Sequence, residues 1–199
     1  MVKSGYTLSL LHYLFTTLSK EEHMLQASKQ WQWIACPKQN RLLLDLDDDM
    51  QLRTPYKLRQ LTDCVFSNPR FSLEDAAFYE QVYNYLDGFN LYKPAQICQI
   101  ALNATAVKFH LKPVLAKSWF FQEYTGNEPS VEAIIKLASK AQIGEFLIVE
   151  HCPDASICIN LNENFKLDDN LSLEQFEVIR VLNNRVHPLL NQQYQSQTA

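Results

Sequence analysis

The 199-residue chain is predicted to adopt an α+β fold, and three observations carry that assignment. Two central stretches repeat apolar residues at helical spacing, short β-leaning runs lie on either side of them, and the charge balance changes along the chain. Residues 1–140 hold 15 basic and 14 acidic side chains whereas 141–199 hold 3 and 8, which points to two subdomains. The predicted architecture is an N-terminal α/β subdomain of short strands plus two helices, followed by a small β-barrel-like subdomain and a C-terminal helix. Its expected boundaries are an extension over 1–27, an α/β subdomain over 28–114, a barrel-like subdomain with the last helix over 115–191, and a frayed tail over 192–199.

Along the N-terminal extension, Leu8, Leu11, Phe15 and Leu18 would form one apolar face of a short helix. A signal peptide fits poorly, because His12 interrupts the apolar run, no small-x-small cleavage site follows, and the run is too short to span a bilayer. Next, Trp31–Ala35 and Arg41–Leu46 read as strands around a Pro37-Lys38-Gln39-Asn40 turn, with Met50–Thr54 as a third strand. Ser72 with Asp75 three residues on forms a weak capping box for a helix in which Phe78, Val82, Tyr85, Leu86 and Phe89 recur at helical spacing and which ends near Gly88. The following helix starts at Pro94 and runs to His110; its polar residues Gln96, Gln99 and Asn103 form one narrow line, so most of it is buried. Lys117–Phe121, Ala133–Ala138, Glu145–Glu150 and Ser156–Leu161 are short and β-leaning, as in a small antiparallel barrel or sandwich, although 131–140 is equally compatible with a helix. Ser172-Leu173-Glu174-Gln175 reads as a capping box opening a last helix, with Phe176, Ile179, Leu182 and Val186 on one face and Pro188 as its stop.

Composition removes several function classes. With glycine only at positions 5, 88, 126 and 144, neither G-x-G-x-x-G nor a P-loop is possible. Five cysteines without a C-x-x-C pair argue against a disulfide framework or zinc knuckle, so they read as structural thiols in a reducing cytoplasm. No cofactor is expected. Asp45, Asp47 and Asp49 have the spacing of a calcium loop, but Met50 stands at the glycine position and Tyr56 at that of the bidentate glutamate. His151-Cys152, with Cys158 nearby, is the best candidate for a Cys/His hydrolase, against the plainer reading of inert core thiols.

The most distinctive local feature is a charge pattern. Residues 88–122 contain no acid, yet carry Lys93, Lys108, Lys112 and Lys117 in a chain of net charge -4. These lysines are left without sequence-local salt-bridge partners, and Trp119 follows the last of them. A cationic, aromatic-edged partner surface made of Lys112, Lys117, Lys93, Lys108 and Trp119 is therefore expected. A single-stranded nucleic-acid binder using Trp31, Trp33 and Trp119 as stacking platforms is the alternative, weakened by the overall acidity.

Trp31-Gln32-Trp33, Leu42-Leu43-Leu44-Asp45-Leu46, Glu74-Asp75-Ala76-Ala77-Phe78-Tyr79, Phe89-Asn90-Leu91, Ala101-Leu102-Asn103-Ala104 and Leu111-Lys112-Pro113 through Lys117-Ser118-Trp119 form an ordered series. In order and spacing over about residues 28–121, this series resembles ZapC, the Z-ring-associated cell division proteins of gamma-proteobacteria. The resemblance implies a non-enzymatic cytoplasmic protein, recruited to the division septum, that binds the division GTPase FtsZ, bundles its protofilaments and lowers its GTPase turnover. It also implies an N-terminal α/β part and a C-terminal β-barrel-like part, with Lys112 and Lys117 in the shared segment. Bundling needs two attachment points per bridging unit, supplied by two surfaces on a monomer or by self-association. Tyr92-Lys93-Pro94 departs from the more acidic helix start expected of the family, and the first 23 residues lie outside its pattern. Translation is accordingly expected to start at Met24. The intact mass of the protein expressed from its own locus should correspond to that start; a full-length mass, with loss of division function on deleting residues 1–23, would contradict it.

Overall fold

A computed structural model describes residues 25–47, 50–125 and 134–189, so the first 24 residues of the N-terminal extension, the tail from 192 and part of the Asp45–Asp49 turn lie outside the described residues. The chain divides into two compact units, Met1–Lys112 and Pro113–Ala199.

In the first unit, β1 (Gln32–Cys36), β2 (Arg41–Asp45) and β3 (Gln51–Arg53) form an antiparallel meander. The β1–β2 turn contains Asn40 at φ 50°, a left-handed conformation that asparagine tolerates better than most residues. Along β1, Trp33 and Ala35 alternate inward, whereas Leu42, Leu43 and Leu44 of β2 are all buried. β2 is thus covered on both faces, consistent with its central place between β1 and β3.

Two helices complete the unit, α1 (Leu73–Asp87) and α2 (Pro94–His110). The predicted capping box opens α1: the Asp75 N–H donates to Ser72 Oγ at 3.0 Å, and the Ser72 N–H donates to Asp75 Oδ2 at 2.8 Å. Gly88 stays in the right-handed helical region, and the nearby left-handed residue is Asn90. α2 has Pro at its start and is mostly buried; Asn103, expected on its polar line, lies inside, its amide donating to the Gln99 carbonyl at 2.9 Å.

Asp75 also joins strand to helices. Although only 2% exposed, its carboxylate accepts from the Trp33 indole at 3.2 Å and approaches His110 Nε2 at 3.3 Å. The His110 contact is within ion-pair distance but lacks hydrogen-bond alignment, so it counts as electrostatic. Burial pushes the Asp75 carboxyl up, but His110, the Ser72 amide and the Trp33 indole together outweigh that and hold it below its ordinary value.

The second unit contains an open antiparallel sheet in the order β10-β4-β5-β6-β9 and a separate β7–β8 hairpin. The strands are β4 (Ile134–Ala138), β5 (Ile143–His151), β6 (Ala155–Asn160), β7 (Asn164–Lys166), β8 (Ser172–Glu174), β9 (Val178–Leu182) and β10 (His187–Pro188). Phe121, Ile135, Leu137, Phe146, Ile148, Phe165, Leu173, Ile179 and Val181 are among the residues of its core. The five-stranded sheet has two edges and no closed barrel is found among the described residues, so the second unit is described as an open antiparallel sheet.

Three local expectations are settled differently or more sharply. The helix predicted from Ser172 is absent: Phe176 takes a left-handed φ of 63°, and Ile179 and Val181 alternate inward along β9. Its helical face was an accident of spacing, since Leu182 is 40% exposed, while β-branched Val178, Ile179 and Val181 suit a strand beside β6. Pro188 lies in β10 instead of stopping a helix. Lys117–Phe121, expected as a strand, forms a 3-10 turn over Ser118–Phe120. The ambiguous 131–140 stretch contains β4.

Two measurements check these contacts. Asp75→Asn should destabilise the fold by about 1–3 kcal/mol in urea melts. A lowered carboxyl stabilises the fold above the unfolded value and loses that contribution as pH falls through the folded one, so the gap from the parent should close below about pH 4. A gap that does not narrow as pH falls below about 4 would contradict the carboxylate's role. Gly144→Ala should cost about 1–3 kcal/mol, because a Cβ there would stand 2.5 Å from the Phe165 ring and 2.7 Å from Asn162 Nδ2.

Candidate functional site

The five residues expected to contact a partner are distributed over both units. Lys93, Lys108 and Lys112 belong to the first, Lys117 and Trp119 to the second.

In the first unit, Lys93 is exposed at the N-cap of α2, where its main-chain N–H donates to Gln96 Oε1 at 3.0 Å. Lys108, exposed on α2, places its ammonium 5.1 Å from the centre of the Phe78 ring, within cation–π range. Lys112 has no acid partner within the 88–122 window, but folding brings one from outside it: its ammonium lies 3.8 Å from Asp63, an acid distant in sequence. Both side chains are largely exposed, so the pair is weak and screened by salt. The Lys112 main chain is nevertheless anchored, since its N–H donates to the Gln60 carbonyl at 2.8 Å.

In the second unit, residues 116–118 lie along β9, and Phe121 bridges Ser139 beyond β4. Ala116 bridges Arg180 in parallel, the Lys117 N–H donates to the Arg180 carbonyl at 2.9 Å, and the Leu182 N–H donates to Ser118 Oγ at 2.8 Å. Arg185 Nη1 donates to the Phe121 carbonyl at 3.1 Å, and Nη2 reaches Glu123 at 2.7 Å. Within this segment the side chains of Trp119 and Leu115 stay in solvent, 70% and 88% exposed. Trp119 rests against Phe120 with ring centres 5.5 Å apart. Lys117 is half-buried, and among the described residues no acid lies within ion-pair distance of it. The result is a rim where a cation and apolar side chains meet solvent on a fixed main chain.

The tryptophans divide sharply. Trp31 and Trp33 are buried in the first unit, packed edge-on or tilted against Phe71 and, for Trp33, against His110. Two of the three platforms required by the nucleic-acid reading are therefore core residues.

The cysteine candidates also lose their chemical basis. Cys158 is fully buried, and burial pushes its thiol well up. The Cys152 thiol donates to Glu150 Oε1 at 3.8 Å. His151 Nδ1 pairs with Ser156 Oγ at 2.9 Å, and that hydroxyl donates to Asn183 Oδ1 at 2.8 Å. This network ties the β5–β6 turn to the 3-10 turn after β9.

Among known proteins, the family model for the N-terminal part of the cell-division protein ZapC matches residues 24–112, and that for its C-terminal part matches residues 113–192. The chain belongs to the ZapC family. It is 77% identical to the cell division protein ZapC of Pseudoalteromonas translucida over 176 residues, covering 88% of this chain and all of the relative. Identity is 37% to the Aeromonas hydrophila ZapC, over 82% of this chain and 92% of the relative. The Vibrio cholerae ZapC is 31% identical, over 88% and 98% of the two chains. Among the described residues, no helix is long and apolar enough to cross a membrane.

Ser118, Arg180, Leu182 and Arg185, which build the rim, were not among the residues expected to form a site. Ser118 was visible inside the Lys117-Ser118-Trp119 string, but only the position of β9 reveals its role. Thiol reactivity checks the cysteine assignment: on the native protein, iodoacetamide should label exposed Cys64 readily and leave Cys158 unmodified until unfolding. Fast native labelling of Cys158 would contradict it.

Proposed function

We propose that this chain is a division-ring adaptor that binds FtsZ protofilaments, promotes their lateral association, stabilises the polymer and lowers FtsZ GTPase activity through slower subunit turnover. Membership of the ZapC family supports a role in cell division, and the sequence resemblance supplies the partner. The observation that carries the reading furthest is the rim of Lys117, Leu115 and Trp119, where a cation lies beside exposed apolar area. Such a combination suits an acidic partner, the cation giving orientation and the aromatic giving desolvated contact. Lys112, Lys108 and Lys93 supply further cationic contacts on the first unit. Bridging between filaments needs two attachment points, supplied by two surfaces on one molecule or by self-association. The protein acts in the cytoplasm and is recruited to the division septum through FtsZ.

Co-sedimentation with GTP-assembled FtsZ tests this function. Lys112→Glu and Lys117→Glu should each weaken pelleting about tenfold, more than the alanine changes, because reversal adds repulsion to lost attraction. Added salt should narrow the difference. Asp63→Asn, which removes the acid beside Lys112, should strengthen pelleting. If the folded double reversal bundles filaments like the parent at low salt, the lysines are only solvated surface.

A further inference from the structure

The segment carrying Lys117 and Trp119 is fastened to β9 by a side chain where a main-chain group would ordinarily serve. β9 is an outer strand of the five-stranded sheet. Such a strand turns alternate residues' N–H and C=O groups away from its neighbour, and each needs a partner. Here the Arg180 carbonyl and, two residues on, the Leu182 N–H face the 115–121 segment. The first is met by the Lys117 N–H at 2.9 Å, as in a parallel ladder. In a continuing ladder a main-chain carbonyl would meet the second, but the chain turns at Ser118 into the 3-10 turn, and the serine hydroxyl accepts the Leu182 N–H at 2.8 Å instead. Ser118 is only 7% exposed, so water competes poorly for that bond. Its own carbonyl accepts the Phe121 N–H at 3.0 Å and closes the turn.

We propose that Ser118 is the positioning residue of the rim: its hydroxyl substitutes for a strand carbonyl and holds Lys117 and Trp119 in one presentation for the filament partner. The inference rests on the FtsZ-binding reading and adds to it the group that fixes the contact residues on either side. The physical reason is preorganisation. A segment already splinted to a sheet loses less conformational freedom on association than one ordered only by the partner.

The full-length chain is tested with Ser118→Thr and Ser118→Val, which have the same shape and differ in the hydroxyl, and with each combined with Trp119→Ala. Trp31 and Trp33 are buried, so the tryptophan emission quenched by acrylamide reports Trp119. Ser118→Val should lower the anisotropy of that emission and raise the apparent Kd for GTP-assembled FtsZ about five- to tenfold, the worth of one lost hydrogen bond, while Ser118→Thr keeps both near the parent. In the Trp119→Ala background the Val-for-Thr difference in Kd should shrink, because the side chain being positioned is gone. Circular dichroism and melting confirm that each variant is folded at the assay temperature. A parent chain that does not pellet with FtsZ overturns both the reading and this inference. If the parent pellets but the folded Ser118→Val and Ser118→Thr chains bind alike, or their difference persists in full without Trp119, only the positioning role is overturned.

Discussion

A strand at the edge of a sheet must find partners for its outward main-chain groups, and in this protein the partner found for β9 decides where exposed apolar and cationic side chains can stand. The 115–121 segment meets the Arg180 carbonyl with a main-chain N–H and the Leu182 N–H with a serine hydroxyl. It thereby blocks that stretch of the edge against pairing with another chain. Because those contacts use the Lys117 main chain and the Ser118 side chain, Trp119 is left out in solvent beside Lys117. Arg185 clamps the far end of the turn through the Phe121 carbonyl. Edge protection and the exposure of Trp119 are therefore one arrangement.

The first unit depends on a different device, a buried carboxylate shared among three elements. Asp75 caps α1, accepts from the indole of β1 and attracts the imidazole at the end of α2. A carboxylate taken out of water is costly unless such partners replace its hydration. Lys112 follows that anchored histidine by two residues, and the Thr62 and Lys112 main-chain bonds hold the same crossing, so the end of α2 presents its lysine from a fixed main chain.

What the sequence revealed was what local chemistry decides. The β1–β2 hairpin, the Ser72–Asp75 box and the proline-led, buried α2 follow from signals within a few residues of each element. The last helix was misread because Phe176, Ile179, Leu182 and Val186 fit a 3.6 period, while the period-two burial of β9 is imposed by β6 and was hidden in the same residues. The 3-10 turn at Ser118 depends likewise on β9. For the candidate site, the acid-free window picks out cations along the chain but could not foresee Asp63 beside Lys112, since charge counted along the chain omits neighbours brought by folding. Nor does composition distinguish Trp119 from Trp31 and Trp33; burial does.

The central claim, that the rim beside β9 faces FtsZ, is tested most directly by site-specific photo-crosslinking with a benzophenone amino acid in place of Trp119, with Ile143, similarly exposed at the start of β5 in the same unit, as the control. In the presence of GTP-assembled FtsZ, the account predicts a covalent FtsZ adduct from position 119 and little from position 143. A chain that still pellets with the filaments, yet gives no adduct from position 119 or gives adducts from 143 alone, would contradict it.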